Sequence, residues 1–298
     1  MSEDFARLET EGRNPRTMDL DRLSTPELVQ RMHLESMDAF TAVDAVLPQI
    51  ARIVDIVAER LADGGRLFYI GAGTSGRLGV LDASECPPTF GVSKDLVQGV
   101  IAGGDHALRN PIEGTEDSPK AGEADLKARG VGARDVVVGI AASGRTPYVI
   151  GALDAARAAG AFAVSLANVS NSALARHADL AIEAVTGPEV VTGSTRMKAG
   201  TSQKLILNLI TTGAMVRLGK VYSNLMVDVK ASNVKLQDRA VRIIISATSA
   251  DRPAAEAALQ AADGHVKTAI VMIAREVSAP QANELLNSAG GWVGKALE

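Results

Sequence analysis

The tripeptide Ser75-Gly76-Arg77 recurs as Ser143-Gly144-Arg145, each copy just after a short apolar run and just before a stretch of helical character. Around the first copy Gly71, Gly73 and Gly76 satisfy G-x-G-x-x-G, a turn that lets backbone approach a phosphate closely. A dinucleotide site also needs an acidic residue about 20 positions on, at the end of the second strand. Asp95 precedes that strand, which closes on Ala102-Gly103-Gly104, so a nicotinamide cofactor is not expected. Two equivalent loops suit a compact phosphate dianion better. The hydroxyls of Thr74, Ser75, Ser143 and Thr146, the backbone at Gly76 and Gly144, and two helix N-termini together make an anion cradle. Either loop alone would pass as ordinary turn and N-cap chemistry. Their pairing at equivalent positions favours binding.

The elements that must carry these loops follow from periodicity. Apolar runs at 66–71, 98–102, 135–140, 162–167 and 179–185 read as strands, separated by helices at 75–84, 118–129, 146–159 and 198–218. That alternation implies an α/β fold: a doubly wound, mostly parallel five-stranded sheet with ligand loops at the carboxyl ends of its strands. Residues 1–38 read as a charged N-terminal arm with breakers at Pro15 and Pro26, and 39–245 as the main domain. A helix from Ala39 to Ala62 opens that domain, its apolar residues spaced by three and four. Residues 246–298 read as a small helical C-terminal subdomain. There Leu259, Ala262, Gly264, Val266 and Ala269 recur 27 residues on as Leu286, Ala289, Gly291, Val293 and Ala296.

Composition removes several classes. The 298 residues carry a net charge of −4 and only 3% aromatics, with dispersed Lys and Arg, so no nucleic acid is expected as a partner. Cys86 is the one cysteine, and His33, His106, His177 and His265 stand far apart. No disulfide within the chain, metal site or cofactor is therefore expected. The N-terminus lacks the basic and then apolar pattern of a signal peptide, and no run is long enough to span a bilayer. A cytoplasmic protein without a membrane partner fits.

The paired loops resemble those of the sugar isomerase (SIS) domain, which binds phosphosugars. Residues 187–204, GPEVVTGSTRMKAGTSQK, are similar to the Glu-x(4)-Ser-Thr-Lys pattern of SIS isomerases, with Arg196 where Lys is usual. More narrowly, LETEGRNPRTMDLDRLST near the start, ASECPPTFG at 83–91, IAGGDHALRNPIEGTEDS at 101–118 and the long stretch 194–236 resemble the N-acetylmuramic acid 6-phosphate etherase family. The likeness covers nearly the whole chain. His33, Leu34 and Ser36 depart from it, standing where the family tends to have Asn-x-Glu-Asp.

The resemblance implies a flavodoxin-like SIS fold and a carbon-oxygen lyase of amino-sugar catabolism and peptidoglycan recycling. Such an enzyme releases D-lactate from N-acetylmuramic acid 6-phosphate and leaves N-acetylglucosamine 6-phosphate. It also implies two catalytic carboxylates: Glu85 as acid toward the departing lactate, and Glu116 as base at C2. Residues alone do not separate the two roles. Burial is expected for Glu85, on a small-residue stretch before Pro87-Pro88, while Glu113 and Asp117 crowd Glu116 with like charge. Glu189, Ser194 and Arg196 would join Thr74, Ser75, Gly76, Ser143, Gly144 and Thr146 in holding substrate. Arg196 and Lys198 could meet an anionic group or be surface charges, and Cys86 reads as a packing residue. A homodimer with sites near its interface is implied. A phosphosugar isomerase and a non-catalytic sugar-phosphate sensor are the alternatives.

Overall fold

Pro48 decides where the first long helix breaks. The expected helix at Ala39–Ala62 is two, α2 (Asp38–Asp44) and α3 (Leu47–Ala62), preceded by α1 (Thr25–Ser36). A proline at position 48 has no N–H for the carbonyl of Asp44 and its ring would collide with it, so the chain restarts at Leu47. Pro26, expected as a breaker, instead sits in the first turn of α1 behind the Ser24/Glu27 capping box, where a missing N–H costs nothing.

This computed structural model describes residues 9–229 and 234–298. The first eight residues of the arm, and 230–233 within the stretch 194–236, lie outside the described residues. Contacts gather the chain into two units, Met1–Ser84 with Asp95–Thr211, and Glu85–Lys94 with Thr212–Glu298.

The first unit holds a five-stranded sheet in the order β2-β1-β3-β4-β5, with every neighbouring pair parallel. Its strands are β1 (Leu67–Gly71), β2 (Val97–Ile101), β3 (Val136–Ile140), β4 (Phe162–Ala167) and β5 (Leu180–Glu183), close to the apolar runs of the sequence. The helices between and after them are α4 (Gly73–Phe90), α5 (Gly104–Arg109), α6 (Pro119–Ala128), α7 (Pro147–Ala158) and α8 (Lys198–Arg217). Every residue of β1 and β3 is buried, which a sheet covered on both faces requires. Phe68, Ile70 and Val137 join one core with Leu126 of α6 and Tyr148, Val149 and Leu153 of α7. Tyr69, one residue out of phase, serves the other face and donates its hydroxyl to the Leu207 carbonyl of α8 at 3.4 Å.

The second unit holds α9 (Val234–Thr248), α10 (Arg252–Ala261), α11 (Val266–Arg275), α12 (Ala279–Ser288) and α13 (Val293–Leu297). The 27-residue repeat is structural. Gly264 N–H bonds the Leu259 carbonyl at 2.9 Å, and Gly291 N–H bonds that of Leu286 at 2.7 Å. The repeated apolar positions meet in one cluster with Ala240, Ile244 and Ile270.

The N-terminal arm is more firmly placed than its charge suggests. Thr10, Asn14 and Thr17 are buried. Asn14 Nδ2 donates to Glu35 at 2.6 Å and to the Pro188 carbonyl at 3.3 Å, while the Thr17 hydroxyl donates to the Val190 carbonyl at 2.9 Å. Arg16 binds Glu35 through two nitrogens, at 2.5 and 2.7 Å, and also pairs with Asp38. Lys198, 0% exposed, places its ammonium 2.9 Å from Asp38 and 3.6 Å from Glu35. Two cations and two carboxylates thus fasten residues 14–17 over 188–198, because a buried charge survives only with partners.

Two outcomes follow from this packing. A Cβ on Gly122 of α6 would lie 1.9 Å from the Tyr148 carbonyl oxygen of α7, whereas one on Gly132 would meet nothing. Gly122→Ala is expected to cost about 1–3 kcal/mol in urea unfolding, and Gly132→Ala less than about 0.5 kcal/mol. Equal effects would mean that the α6–α7 contact is not close. The second concerns Glu35, whose carboxyl Arg16 holds below the usual carboxylate range, against the opposing effect of burial. A depressed carboxylate contributes stability above its unfolded value of about 4.3, and loses it as pH falls through the folded value. The stability gap between the native protein and Glu35→Gln should therefore be widest near neutral pH and shrink on acidification toward about pH 3. A gap independent of pH would contradict it.

Candidate functional site

Gly71 pairs with Ile101 on one side and with Ile140 on the other, so β1, β2 and β3 end at one level. From β1 the chain crosses through α4 to β2, and from β3 through α7 to β4, in opposite directions along the sheet. A crevice opens between such strands, and the two serine-bearing loops flank it.

The loops offer different groups. Thr74 and Ser75 lie in the first turn of α4, where their N–H groups have no earlier helical carbonyl to bond. Gly76 permits this close start: a Cβ there would lie 2.6 Å from the Gly71 oxygen and 2.7 Å from Ile101 Cγ1. In the second loop Gly144 has φ 65, donates to the Ala141 carbonyl at 2.9 Å and accepts from Leu174 N–H at 2.9 Å. The first N–H groups of α7 are already engaged. Tyr148 donates to the Glu116 carbonyl at 3.0 Å, and Val149 and Ile150 donate to that of Thr146 at 3.0 and 3.1 Å. The first loop therefore presents backbone N–H groups, and the second presents the half-buried Ser143 and Thr146 hydroxyls rather than a free helix N-terminus.

Glu116 stands between them. Its carbonyl holds the start of α7, and its residue lines a cavity of about 240 Å³ together with Ala72, Gly73, Arg77, Ala102 and Glu113. Its side chain is exposed. Arg77, from the first copy of the repeated tripeptide, braces this wall by donating to the carbonyls of Leu108 at 3.0 Å and Ala107 at 2.7 Å. Those carbonyls end α5, where a cation is favoured.

Glu85 belongs to the second unit and differs from its expectation. Helix α4 does not stop at residue 84 but continues through Pro87 and Pro88 to Phe90. The prolines remove ladder hydrogen bonds yet keep a helical φ, and buried Cys86 and Phe90 anchor the last turns. Glu85 consequently projects from a helix and is exposed rather than buried.

The segment before α8 supplies the remaining candidates. Glu189, 0% exposed, accepts from Lys198 N–H at 2.9 Å and Ala199 N–H at 3.0 Å, so both carboxylate oxygens cap α8. Ser194 is half-buried and its carbonyl closes the following turn by accepting from Met197 N–H at 3.2 Å, while Arg196 is exposed. Lys198 reaches neither an external anion nor the surface, since Asp38 and Glu35 engage it in the interior. The first turn of α8 meets the first loop directly: a Cβ on Gly200 would lie 3.6 Å from the Thr74 methyl.

Buried polar residues that the sequence reading did not single out tie β4 and α4 to α8. Asn168 Nδ2 donates to the Ala184 carbonyl at 2.9 Å and to Ser202 at 2.7 Å, and its oxygen accepts from Gln203 at 2.9 Å. Asp82 takes hydrogen bonds from Asn208 at 2.5 Å and Thr211 at 3.3 Å, and burial pushes its carboxyl above the usual range. One signal was available: Asp82 follows Gly79, a glycine on the packed side of α4, by three positions. Among the described residues no group of three His, Cys, Asp or Glu gathers as metal ligands, and no helix is long and apolar enough to cross a membrane.

Comparison with known proteins agrees with this fold. Residues 49–157 match the glucokinase regulatory protein N-terminal SIS domain, and 115–213 match the SIS domain. A phosphosugar isomerase assigned to capsule formation in Bacteroides fragilis superposes with a TM-score of 0.51 at 19% identity. The match covers 67% of this chain and 95% of that one and supports the fold alone. An N-acetylmuramic acid 6-phosphate etherase from Mycolicibacterium smegmatis is 55% identical over 99% of both chains, and one from Salmonella agona is 56% identical over 98% of both. Likeness of this order from end to end shows that the chain belongs to the N-acetylmuramic acid 6-phosphate etherase family.

Proposed function

We propose that this protein cleaves the D-lactyl ether of N-acetylmuramic acid 6-phosphate by elimination and hydration, in the cytoplasm and as a homodimer. The observation that carries the activity is identity above one half, from end to end, with etherases of that name. The loop geometry supports a phosphosugar as substrate. Its phosphate would sit against the Thr74 and Ser75 N–H groups and the Ser75, Ser143 and Thr146 hydroxyls, with Gly76 and Gly144 allowing close approach. Arg196 and Ser194, exposed and half-buried in the turn that Glu189 anchors, would meet the substrate's other polar groups.

An alkyl ether is a poor leaving group, and direct displacement would be slow. With the ring open, the C1 aldehyde makes the C2 proton acidic. Glu116 takes that proton, the C3–O bond breaks, and Glu85 protonates the departing lactate oxygen. Glu85, now a carboxylate, activates water to add at C3, and the proton returns to C2. Two carboxylates close the cycle, each general acid or base contributing about 10²–10⁴ in rate.

In heavy-oxygen water the label should appear at C3 of the product sugar. Label in the lactate hydroxyl would mean attack on the lactyl carbon and end this mechanism, and binding without lactate release would indicate a sensor. Glu85→Gln and Glu116→Gln should each lower kcat about 10²–10⁴-fold and still bind sugar phosphate. Near-normal turnover in either removes that residue. Ser75→Ala should raise KM about 10-fold or more through the lost bond to a charged group, and an unchanged KM would move the phosphate elsewhere.

A further inference from the structure

We infer that Arg77 is a positioning residue for Glu116, holding the loop that carries this base without itself exchanging a proton. The inference rests on the catalytic assignment of Glu116 above, which uses the serine and glycine of the first Ser-Gly-Arg tripeptide and leaves its arginine without a task. Glu116 ends a segment with little core of its own. Between β2 and α6 the chain passes through Gly103 and Gly104, both in the left-handed region with φ 85 and 67, into the six-residue helix α5 and then a loop. Among the described residues of α5 only Ala107 is buried, and Glu116 at the far end of the loop is exposed. A helix this short is marginal by itself, so contacts from other elements must set where it stands.

Arg77 supplies such contacts from α4. Its Nε donates to the Leu108 carbonyl at 3.0 Å and its Nη2 to the Ala107 carbonyl at 2.7 Å. Two donors in one rigid plane, on consecutive carbonyls, fix both the distance and the angle of α5. The restraint passes on to the loop. A Cβ on Gly103 would lie 3.2 Å from Ala107 Cβ, 3.0 Å from Ile112 Cδ1 and 3.3 Å from Thr115 Cγ2, so α5 and residues 112–115 close on each other around this glycine. Thr115 Oγ1 donates to the Ile112 carbonyl at 3.1 Å, and the next residue is Glu116, whose own carbonyl accepts from Tyr148 N–H at 3.0 Å.

The place of the contact explains its use. Ser75 and Arg77 stand two residues apart in α4, so the helix assigned to the phosphate also fixes the loop that bears the base. One rigid element then sets the distance between the anchored end of the sugar and its C2. Arg77, Ala107, Ile112, Thr115 and Glu116 all line the cavity of about 240 Å³, which keeps every link within the same small space. A guanidinium that touches the substrate is the competing role. The two part once the Glu116 carboxylate is removed.

Exchange of the C2 hydrogen of N-acetylglucosamine 6-phosphate with deuterium from solvent reads the proton transfer alone, since it needs the base and no departing lactate. In the full-length protein, Arg77→Met should lower kcat for exchange and for lactate release about 10²-fold, the loss that a displacement near 1 Å produces. KM for the sugar phosphate should stay unchanged, because phosphate binding is left in place. Arg77→Lys keeps the charge and loses the two-carbonyl fork, so it should lose most of the exchange as well, and it carries the test if Arg77→Met does not fold. Added to Glu116→Gln, either substitution should lower the residual rate no further, because it acts only through a carboxylate already absent. A raised KM, or a further loss in the Glu116→Gln background, would place Arg77 on the substrate and overturn the inference. Native exchange in a folded Arg77 variant, with Glu116→Gln inactive, would overturn it alone. Native exchange in Glu116→Gln would mean that the catalytic assignment itself has failed, which separates the two failures.

Discussion

The site depends on β1 and β3 ending together, Gly71 against Ile140, with their crossovers leaving in opposite directions. Parallel pairing with right-handed crossovers leaves a crevice there and nowhere else in a sheet of this order. Both copies of the Ser-Gly-Arg tripeptide follow these two strands, so sheet hydrogen bonding sets the spacing between the loops. The requirement propagates into small residues. Gly76 admits the start of α4 against the end of β1, and Gly144 takes the left-handed turn that lets the second loop bond Leu174.

A second constraint is the desolvation of charge behind the loops. Lys198 has no access to water, and Asp38, Glu35 and Arg16 complete its surroundings. One residue further along, and with Lys198 itself, backbone N–H groups are taken by the carboxylate of Glu189. The turn carrying Ser194 and Arg196 is thereby held from below by buried ionic and capping contacts, while its outer side stays open. A charge network with few alternative arrangements suits such a task, since loss of any partner leaves another charge uncompensated in the interior. The N-terminal segment belongs to this machinery through Asn14, Arg16 and Thr17, although the chemistry attributed to the site lies elsewhere.

The two glutamates differ in what surrounds them. Glu116 is tied into its loop by its own carbonyl, which caps α7, and the residue lines the small cavity with its side chain exposed. Glu85 projects from the solvent face of a continuous helix, and its position is fixed by helical rise rather than by a loop. Elements of secondary structure hold side chains more rigidly than loops do.

Much of this was legible in the sequence. Apolar runs located the strands, the repeated tripeptide marked both loops, and the 27-residue recurrence located two equivalent helix pairs, because local periodicity and turn chemistry are short-range properties. Proline misled twice for the same local reason: Pro26 opens a helix instead of breaking one, and Pro87-Pro88 sit inside a helix that buried neighbours hold together. What only the tertiary structure decided concerns partners distant in sequence. Lys198 meets Asp38 across 160 positions, Asn14 meets Pro188 across 174, and Glu116 caps α7 through a backbone atom that side-chain identity does not reveal. The sequence determined which groups the protein possesses and on which elements they ride. Packing determined which of them are exposed to a ligand and which are spent on one another, since burial and pairing of charge depend on where the whole chain closes.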